Sequence, residues 1–262
     1  MAWVSRLLQG STVQINDYAV TVKFSSNLNN ATWFLCCVYG PYAGPQCDLF
    51  VQWLRDLQIS PVENWLILGD FNFYRSVDNR NKPGANMNDI LIFNDIISHL
   101  GLLELPLKGR SFTWSNMQDN PLLQQLDWFF TSPSWTLAFS NTDVQALTRS
   151  TSDHVPCVVK ISTKIPKSSI FRFENYWVHL EGFFEVVQSV WALDPGFEDP
   201  AKCISFKLKH LRKKLLNWSR NYSQLSKLLV NSKRVLDFFD LIEELRPLSI
   251  LEWNFEYEKM YQ

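Results

Sequence analysis

The sequence lacks several features that would assign it to a membrane or secreted class. Its longest apolar runs are far shorter than a membrane span, and its first residues have neither the charged start nor the long apolar stretch of a secretory signal. It has only five cysteines in 262 residues, with no zinc-ligand spacing and no even number for a disulfide framework. We therefore expect reduced thiols in an intracellular protein, nuclear or cytoplasmic, with no membrane partner.

Acidic residues are absent from one long stretch, although the whole chain has a net charge of only −1. Between Lys202 and Arg234 there are ten Lys or Arg and no Asp or Glu, whereas residues 235–262 carry seven acidic and two basic residues. Overall charge therefore does not imply a nucleic-acid partner, but the distribution predicts a local basic face.

Apolar patterns predict an α/β domain over residues 1–161. Strands are predicted at 20–24, 33–39, 65–68, 111–115, 126–130, 144–147 and 155–161, with a turn at 15–18. Helices are predicted at 48–58 and at 89–100, the second with Asn88 as its N-cap and Gly101 as its end. The Lys, Ser and Pro content of residues 162–170 predicts a linker, and residues 171–262 are predicted to be a helical, coiled-coil-like region.

A heptad-like apolar seam runs through residues 204–229. Its members are Ile204, Leu208, Leu211, Leu215, Trp218, Tyr222, Leu225 and Leu229. The cations that flank it are Lys207, Lys209, Arg212, Lys213, Lys214 and Arg220. Three interpretations stay open: the seam packs on an acidic helix at 236–256, the cations bind phosphates of DNA or RNA, or residues 204–229 bind a coiled-coil partner.

Two polar residues follow a buried strand where α/β sheets bind ligands. Residues 65–68 are a short apolar run, and Asp70 and Asn72 come directly after it on one face. A turn that caps the next segment is the ordinary alternative for such residues. Downstream, Asp153 and His154 precede the strand at 155–161. Two such polar pairs at two strand edges predict a phosphoryl-transfer site.

Asp127 opens an otherwise apolar strand, where a carboxylate is costly to bury without a partner. A histidine held by that carboxylate would be fixed in tautomer and orientation, as a phosphate-facing imidazole requires. Tyr39 ends the strand at 33–39 and could reach the same edge, with packing of its ring in the core as an equal alternative.

Five stretches, in this order, resemble the motifs of the endonuclease/exonuclease/phosphatase superfamily. They are residues 39–41 (Tyr-Gly-Pro), 69–72 (Gly-Asp-Phe-Asn), 111–115 (Ser-Phe-Thr-Trp-Ser), 126–127 (Leu-Asp) and 152–154 (Ser-Asp-His). Residues 111–116, 152–157 and 171–177 are also similar to the endonuclease region of plant LINE-type (non-LTR) retrotransposon polyproteins. There, the region corresponding to residues 170–262 connects the endonuclease to a reverse transcriptase.

The resemblance implies an incomplete four-layer α/β sandwich that nicks DNA. Asp70 would align or activate the attacking water, and Asn72 would hold the scissile phosphate. His154 would hydrogen-bond a phosphate oxygen, with Asp127 orienting the ring. Tyr39 would contact the phosphate near the leaving group.

The resemblance also implies a divalent cation, Mg²⁺ or Mn²⁺, with Asp153 as a metal ligand. It further implies two upstream strands that bear an Asn and a metal-binding Glu, yet no Glu precedes Glu63. We therefore expect a chain shortened at its N terminus. Three hypotheses follow: Mg²⁺-dependent nicking of DNA, an inactive remnant that binds nucleic acid or a partner through its helical region, and hydrolysis of a small phosphorylated molecule.

Overall fold

A computed structural model describes residues 1–149, 152–161, 171, 173, 175–219 and 223–254, with no description of the side chains of 223–229. The predicted linker at 162–170 lies outside the described residues, as do Arg220, Tyr222 and the side chains of Leu225 and Leu229. The chain divides into two compact units: Met1–Ile165 with Val235–Gln262, and Pro166–Arg234. This division differs from the predicted one, because the residues after 234 group with the first unit.

The described chain alternates strands and helices before a helical C-terminal part, which confirms the predicted α/β class. The strands are β1 (Leu8–Ile15), β2 (Ala19–Ser26), β3 (Thr32–Tyr39), β4 (Trp65–Asp70), β5 (Leu103–Glu104), β6 (Leu107–Lys108), β7 (Trp114–Ser115), β8 (Leu123–Gln124), β9 (Asp127–Thr131), β10 (Asp143–Ala146) and β11 (Cys157–Lys160). The helices are α1 (Gln46–Arg55), α2 (Met87–His99), α3 (Pro133–Ala138), α4 (Phe183–Trp191), α5 (Pro200–Ser219) and α6 (Ser223–Leu245), with 3-10 turns at Val77–Asn79 and Asn175–His179.

The largest sheet among the described residues has six strands in the order β1-β2-β3-β4-β9-β5. Strands β3 and β4 are parallel, and α1 supplies the crossover that a parallel pair requires. The other neighbours in this sheet are antiparallel. Smaller sheets have the orders β11-β10-β6 and β7-β8. Because β4 lies between β3 and β9, its carboxyl end meets both neighbours.

The core beneath β4 is largely aromatic. Phe50 and Leu54 lie one turn apart on α1, and Ile90, Phe93 and Ile97 repeat at helical spacing on α2, so each helix buries one stripe. Phe50, Leu54, Phe93 and Ile97 pack with buried residues of β4 and β9 and with Phe71, which directly follows β4; the strand residues include Ile67, Trp128 and Phe130. Burial of this apolar surface is the main source of stability here. It fixes the position of the strand end that bears Asp70.

Two local predictions in the first half are wrong. Strand β1 was not expected, because its polar residues show no clear alternation; it pairs with β2 through a turn in which Asn16 Oδ1 accepts hydrogen bonds from Tyr18 N and Ala19 N, both 2.9 Å. The N-cap of α2 is Asn86 and not Asn88, since Asn86 Oδ1 accepts a hydrogen bond from Asn88 N at 3.0 Å.

Two predicted elements near the C-terminal half are also shorter than expected. Of the predicted strand at 111–115, only β7 is a strand, because Ser111 and Phe112 donate their backbone N–H groups to the side chain of Glu244. The predicted helix at 236–256 is interrupted: α6 ends at Leu245 and helical residues resume at 250. Pro247 lies in this break, where a helix would need the N–H that proline lacks.

The second unit has its own small core. Trp177, Phe183 and Leu215 are buried together, and Leu211 and Trp218 pack against them with residues of α4. The seam residues Leu211, Leu215 and Trp218 therefore find their apolar partners on α4 and the 3-10 turn that precedes it. The interpretation that the seam packs on an acidic helix at 236–256 stays a prediction. A coiled-coil partner for residues 204–229 stays a prediction.

Within the described residues, no helix combines the length and apolar character needed to cross a bilayer. All five cysteine side chains are free thiols.

Candidate active site

The site begins at a close approach between two strands. Gly69 has φ +141°, and a Cβ built there would lie 2.0 Å from the carbonyl oxygen of Val38 on β3. Only glycine avoids that overlap. The close pairing places Tyr39, Asp70 and Asp127 opposite one another across β3, β4 and β9. Directly opposed residues share one face of a sheet, so the three side chains start from the same row.

Asn72 turns back onto Asp70. Its backbone N donates to Asp70 Oδ1 at 3.1 Å, and its Nδ2 donates to Asp70 Oδ2 at 3.1 Å and to the carbonyl oxygen of Gly40 at 2.9 Å. This geometry requires φ +55° at Asn72, a left-handed conformation that asparagine tolerates better than most residues. Both amide hydrogens are used, so in this arrangement Asn72 orients Asp70.

His154 lies between two carboxylates. Its Nδ1 is 2.9 Å from Asp127 Oδ2, which fixes Nδ1 as the donor, because an ionised carboxylate only accepts. Its Nε2 is 3.7 Å from Asp70 Oδ2, too long for a hydrogen bond. The structure thus brings together Asp70, Asn72, Asp127 and His154. The partner expected for the Asp127 carboxylate is this imidazole.

Residues 111–115, here called the hub segment, connect both halves of this cluster. Thr113 Oγ1 accepts from Asp127 N at 3.1 Å, and the Thr113 carbonyl accepts from Val155 N at 2.7 Å. Trp114 Nε1 donates to Asp153 Oδ2 at 2.9 Å. The sequence predicts this stretch as a strand and as part of the resemblance, but not its supporting role. The signal was a threonine and a tryptophan, both with polar groups, in a short β-type run.

The electrostatics of the cluster follow from its burial. The Asp70 side chain is 11% exposed, and burial, then the nearby charge of Asp127, raises the pKa of Asp70 to about 6, against the opposing effects of His154 and Asn72. The hydrogen bond to Asp127 raises the pKa of His154, although burial opposes it. Burial also acts to raise the pKa of Asp153, but the hydrogen bond from Trp114 and the nearby His154 lower it overall.

Known proteins with similar sequences or folds include transposon products. No family model matches this chain. An uncharacterized 149 kDa protein of transposon TX1 from Xenopus laevis is 24% identical over 175 residues, which cover 64% of this chain. The chain spans 13% of the length of that curated relative.

The similar solved structures include endonuclease-type proteins. The endonuclease domain of TRAS1, a telomere-specific non-LTR retrotransposon, is 16% identical with TM-score 0.44, over 60% of this chain and 70% of that one. An endonuclease/exonuclease/phosphatase family protein from Bacteroides thetaiotaomicron is 15% identical with TM-score 0.38, over 58% and 65%. A Staphylococcus aureus beta toxin mutant with bound magnesium ions is 15% identical with TM-score 0.39, over 56% and 58%. Plant LINE origin and a shortened N terminus stay predictions.

The backbone of Tyr39 lies beside the cluster. Its strand position is opposite Asp70, and the next residue, Gly40, donates its N–H to the Asp70 carbonyl oxygen at 2.7 Å. Tyr39 is 71% exposed, which excludes the alternative of core packing. Its contact to a phosphate stays a prediction.

Asp153 does not complete a preformed metal site. In the described part of the chain, no group of three or more His, Cys, Asp or Glu side chains is arranged to hold a metal ion. Glu63 lies before the amino end of β4, whereas Asp70 is at the carboxyl end, so Glu63 does not replace the glutamate that the resemblance implies. A single ligand such as Asp153 fits the usual Mg²⁺ arrangement, in which one or two carboxylates act with substrate oxygens and water. The lowered pKa of Asp153 keeps such a carboxylate ionised.

The predicted nucleic-acid-binding residues lie on α5, apart from Arg220, which is outside the described residues. Three of them contact their own unit. Lys207 Nζ donates to the Trp191 carbonyl at 2.6 Å, Lys214 Nζ donates to Ser189 Oγ at 3.1 Å, and the Arg212 guanidinium lies 5.8 Å from the Phe171 ring centroid. Lys209 and Lys213 are exposed. Their contact to phosphates stays a prediction.

Proposed function

We propose that this chain carries a retroelement-derived endonuclease domain of the endonuclease/exonuclease/phosphatase type, which hydrolyses a DNA phosphodiester bond. The observation that carries the proposal is the placement of His154 between Asp127 and Asp70, at 2.9 and 3.7 Å. The motif order supports the superfamily and LINE type, and the similarity to a transposon protein supports the retroelement origin.

His154 would be the group that binds the phosphate. With Nδ1 donating to Asp127, a neutral ring has no hydrogen on Nε2. The raised pKa favours the imidazolium, in which Nε2 also donates. Nε2 makes no hydrogen bond to Asp70 at 3.7 Å, so its hydrogen is available for a non-bridging phosphate oxygen. A charged donor in a half-buried site stabilises the charge that develops in the transition state.

Asp70 would take the proton of the attacking water. Each of its oxygens accepts one hydrogen bond from Asn72 and keeps a second lone pair for water. Asn72 fixes the direction of the Asp70 carboxylate. The resemblance implies that Asn72 holds the scissile phosphate, but in our mechanism it orients Asp70 instead, because both of its amide hydrogens are already used. A pKa of about 6 suits a base that works near neutral pH.

Asp153 would hold a divalent cation, Mg²⁺ or Mn²⁺, together with the substrate. Such a cation, when bound, neutralises phosphate charge. Because Asp153 also accepts from Trp114, the hub segment would orient this ligand.

The rate of nicking should depend on pH in both directions. Below about pH 6 Asp70 becomes protonated and cannot act as a base, so the rate should fall as the pH drops. As the pH rises through the raised pKa of His154, the ring loses its Nε2 hydrogen and the rate should fall again. The two inflections belong to the coupled pair and not to either residue alone. Asp127→Asn replaces the charged acceptor that raises the His154 pKa with a neutral amide, so the alkaline limb should move to lower pH.

A pH–rate profile of wild type and Asp127→Asn at constant ionic strength measures both limbs. An alkaline limb that stays in place in Asp127→Asn would show that the Asp127–His154 pair does not determine this inflection.

The proposal is tested by incubating the full chain with supercoiled plasmid and Mg²⁺. We expect conversion to the nicked circle, and its loss when EDTA removes the cation. Asp70→Asn should slow nicking by about 100- to 10,000-fold, because it removes the base. Asp95→Asn is the matched control, since Asp95 is an exposed carboxylate in a surface ion pair with Arg55. Equal nicking by Asp70→Asn and wild type would remove Asp70 from the mechanism.

A second candidate function is nucleic-acid binding without cleavage. The observation that favours it is α5, which has six cations and no acidic residue over Pro200–Ser219. In the same plasmid assay, absence of nicking combined with binding that weakens as salt rises would support this alternative. Absence of both nicking and binding at low salt would contradict both candidates.

A further inference from the structure

The hub segment is anchored at its start by the acidic part of α6. Glu244 accepts hydrogen bonds from the backbone N–H groups of two consecutive residues, from Ser111 at 3.1 Å and from Phe112 at 3.4 Å. These N–H groups would otherwise continue the strand ladder of the predicted strand at 111–115. Hydrogen bonds to an ionised acceptor are stronger than neutral ones, so a single carboxylate can set the path of this turn.

A buried ion cluster reinforces this anchor. Arg110 immediately precedes the hub segment and pairs with Asp240. Arg149 Nη2 lies 3.1 Å from the other Asp240 oxygen and 3.3 Å from Glu243 Oε2. The side chains of Arg110, Arg149 and Asp240 are 8%, 4% and 2% exposed. A single carboxylate therefore joins two guanidinium groups in a largely dry environment, where losing one partner leaves an uncompensated charge.

The two arginines belong to the two stretches that carry site residues. Arg110 directly precedes the hub segment in sequence. In that segment Thr113 bonds to Asp127 and Trp114 bonds to Asp153. Arg149 comes four residues before Asp153 in sequence. Asp240 contacts both arginines, so one residue of α6 connects the two stretches.

We propose that residues 237–244 of α6, here called the acidic segment, are positioning residues of the candidate active site. Glu244 and Asp240 fix the hub segment, and the hub segment fixes Asp127 through Thr113 and Asp153 through Trp114. The stretch that the sequence predicts as a connector is thus part of the support of the site. The kinetic part of this inference rests on the proposed function; its structural part does not.

A purely structural role would change stability alone, so the test uses a local signal. The Trp114 indole N–H is bonded to Asp153, and its ¹H–¹⁵N resonance, assigned with Trp114→Phe, reports that bond. We expect Glu244→Ala to shift or broaden this resonance well below the unfolding temperature, and Glu244→Gln, which keeps one acceptor oxygen, to restore much of it. Glu185→Gln is the control, because Glu185 is an exposed residue of α4 outside the acidic segment.

The kinetic readout is plasmid nicking by the same full-length variants. Glu244→Ala should lower kcat by about 10- to 100-fold with a smaller change in KM, because catalytic groups are displaced while DNA contacts remain. If Glu244→Ala does not fold, Glu244→Asp replaces it, since a shorter carboxylate keeps the charge but loses reach.

The outcomes separate this inference from the proposed function. An unchanged Trp114 resonance in folded Glu244→Ala or Glu244→Asp would overturn the inference, whatever the activity. A displaced resonance in a chain that does not nick would support the positioning role and count against the nuclease. A displaced resonance with wild-type kcat would overturn the claim that the acidic segment matters for catalysis.

Discussion

His154→Asn should abolish most DNA nicking while leaving the fold intact. The asparagine amide lies near the position of the histidine Nδ1 and can still donate to Asp127, so the Asp127 carboxylate keeps a partner. The Nε2 hydrogen, which the mechanism directs at the phosphate, has no counterpart in asparagine. Loss of a positioned proton donor typically costs about 100- to 10,000-fold in rate, and we expect a decrease in that range.

His154→Ala extends the same experiment. It removes both nitrogens, so its nicking rate should be as low as that of His154→Asn, while its unfolding temperature should be lower, because the Asp127 carboxylate loses its donor. His99→Asn is the matched control, since His99 is exposed at the end of α2. Nicking by His154→Asn at the wild-type rate would exclude His154 from the reaction.

Gly69→Ala should be among the most destabilising single substitutions in the chain. The new Cβ would lie 2.0 Å from the Val38 carbonyl oxygen and 2.9 Å from the Val38 carbonyl carbon and nitrogen. These are backbone atoms, so the overlap can be relieved only if β3 and β4 move apart. The residue would also hold φ +141°, which L side chains rarely adopt. We expect a loss of about 4–5 kcal/mol in the free energy of unfolding, a large share of the total for an ordinary domain.

Gly44→Ala separates the two causes. Gly44 has φ +83°, yet a Cβ there would meet no heavy atom within 4 Å. Its cost should be limited to backbone strain of about 1–2 kcal/mol. Urea unfolding of both variants measures the difference. Equal losses for the two alanines would show that the close approach of Val38 does not constrain β4.

Several features of the site could be predicted from local patterns. The apolar run at 65–68 ends in a polar pair, and this alone places Asp70 and Asn72 at a strand end. The expense of burying Asp127 predicts a partner for it. The motif order then selects His154, and the structure places its ring 2.9 Å from Asp127. Local propensity was less informative at β1, whose polar residues form a strand through pairing with β2.

The sequence by itself determined the α/β class, the strand that carries Asp70 at its end and the basic stretch, since periodicity, turn chemistry and charge are properties of neighbouring residues. Only the tertiary structure decided that Asn72 donates its two amide hydrogens to Asp70 and Gly40. The same is true of Glu244, which accepts a hydrogen bond from the backbone N–H of Ser111, 133 positions away. No local pattern encodes a hydrogen bond across such a separation, because it exists only once distant elements have packed together.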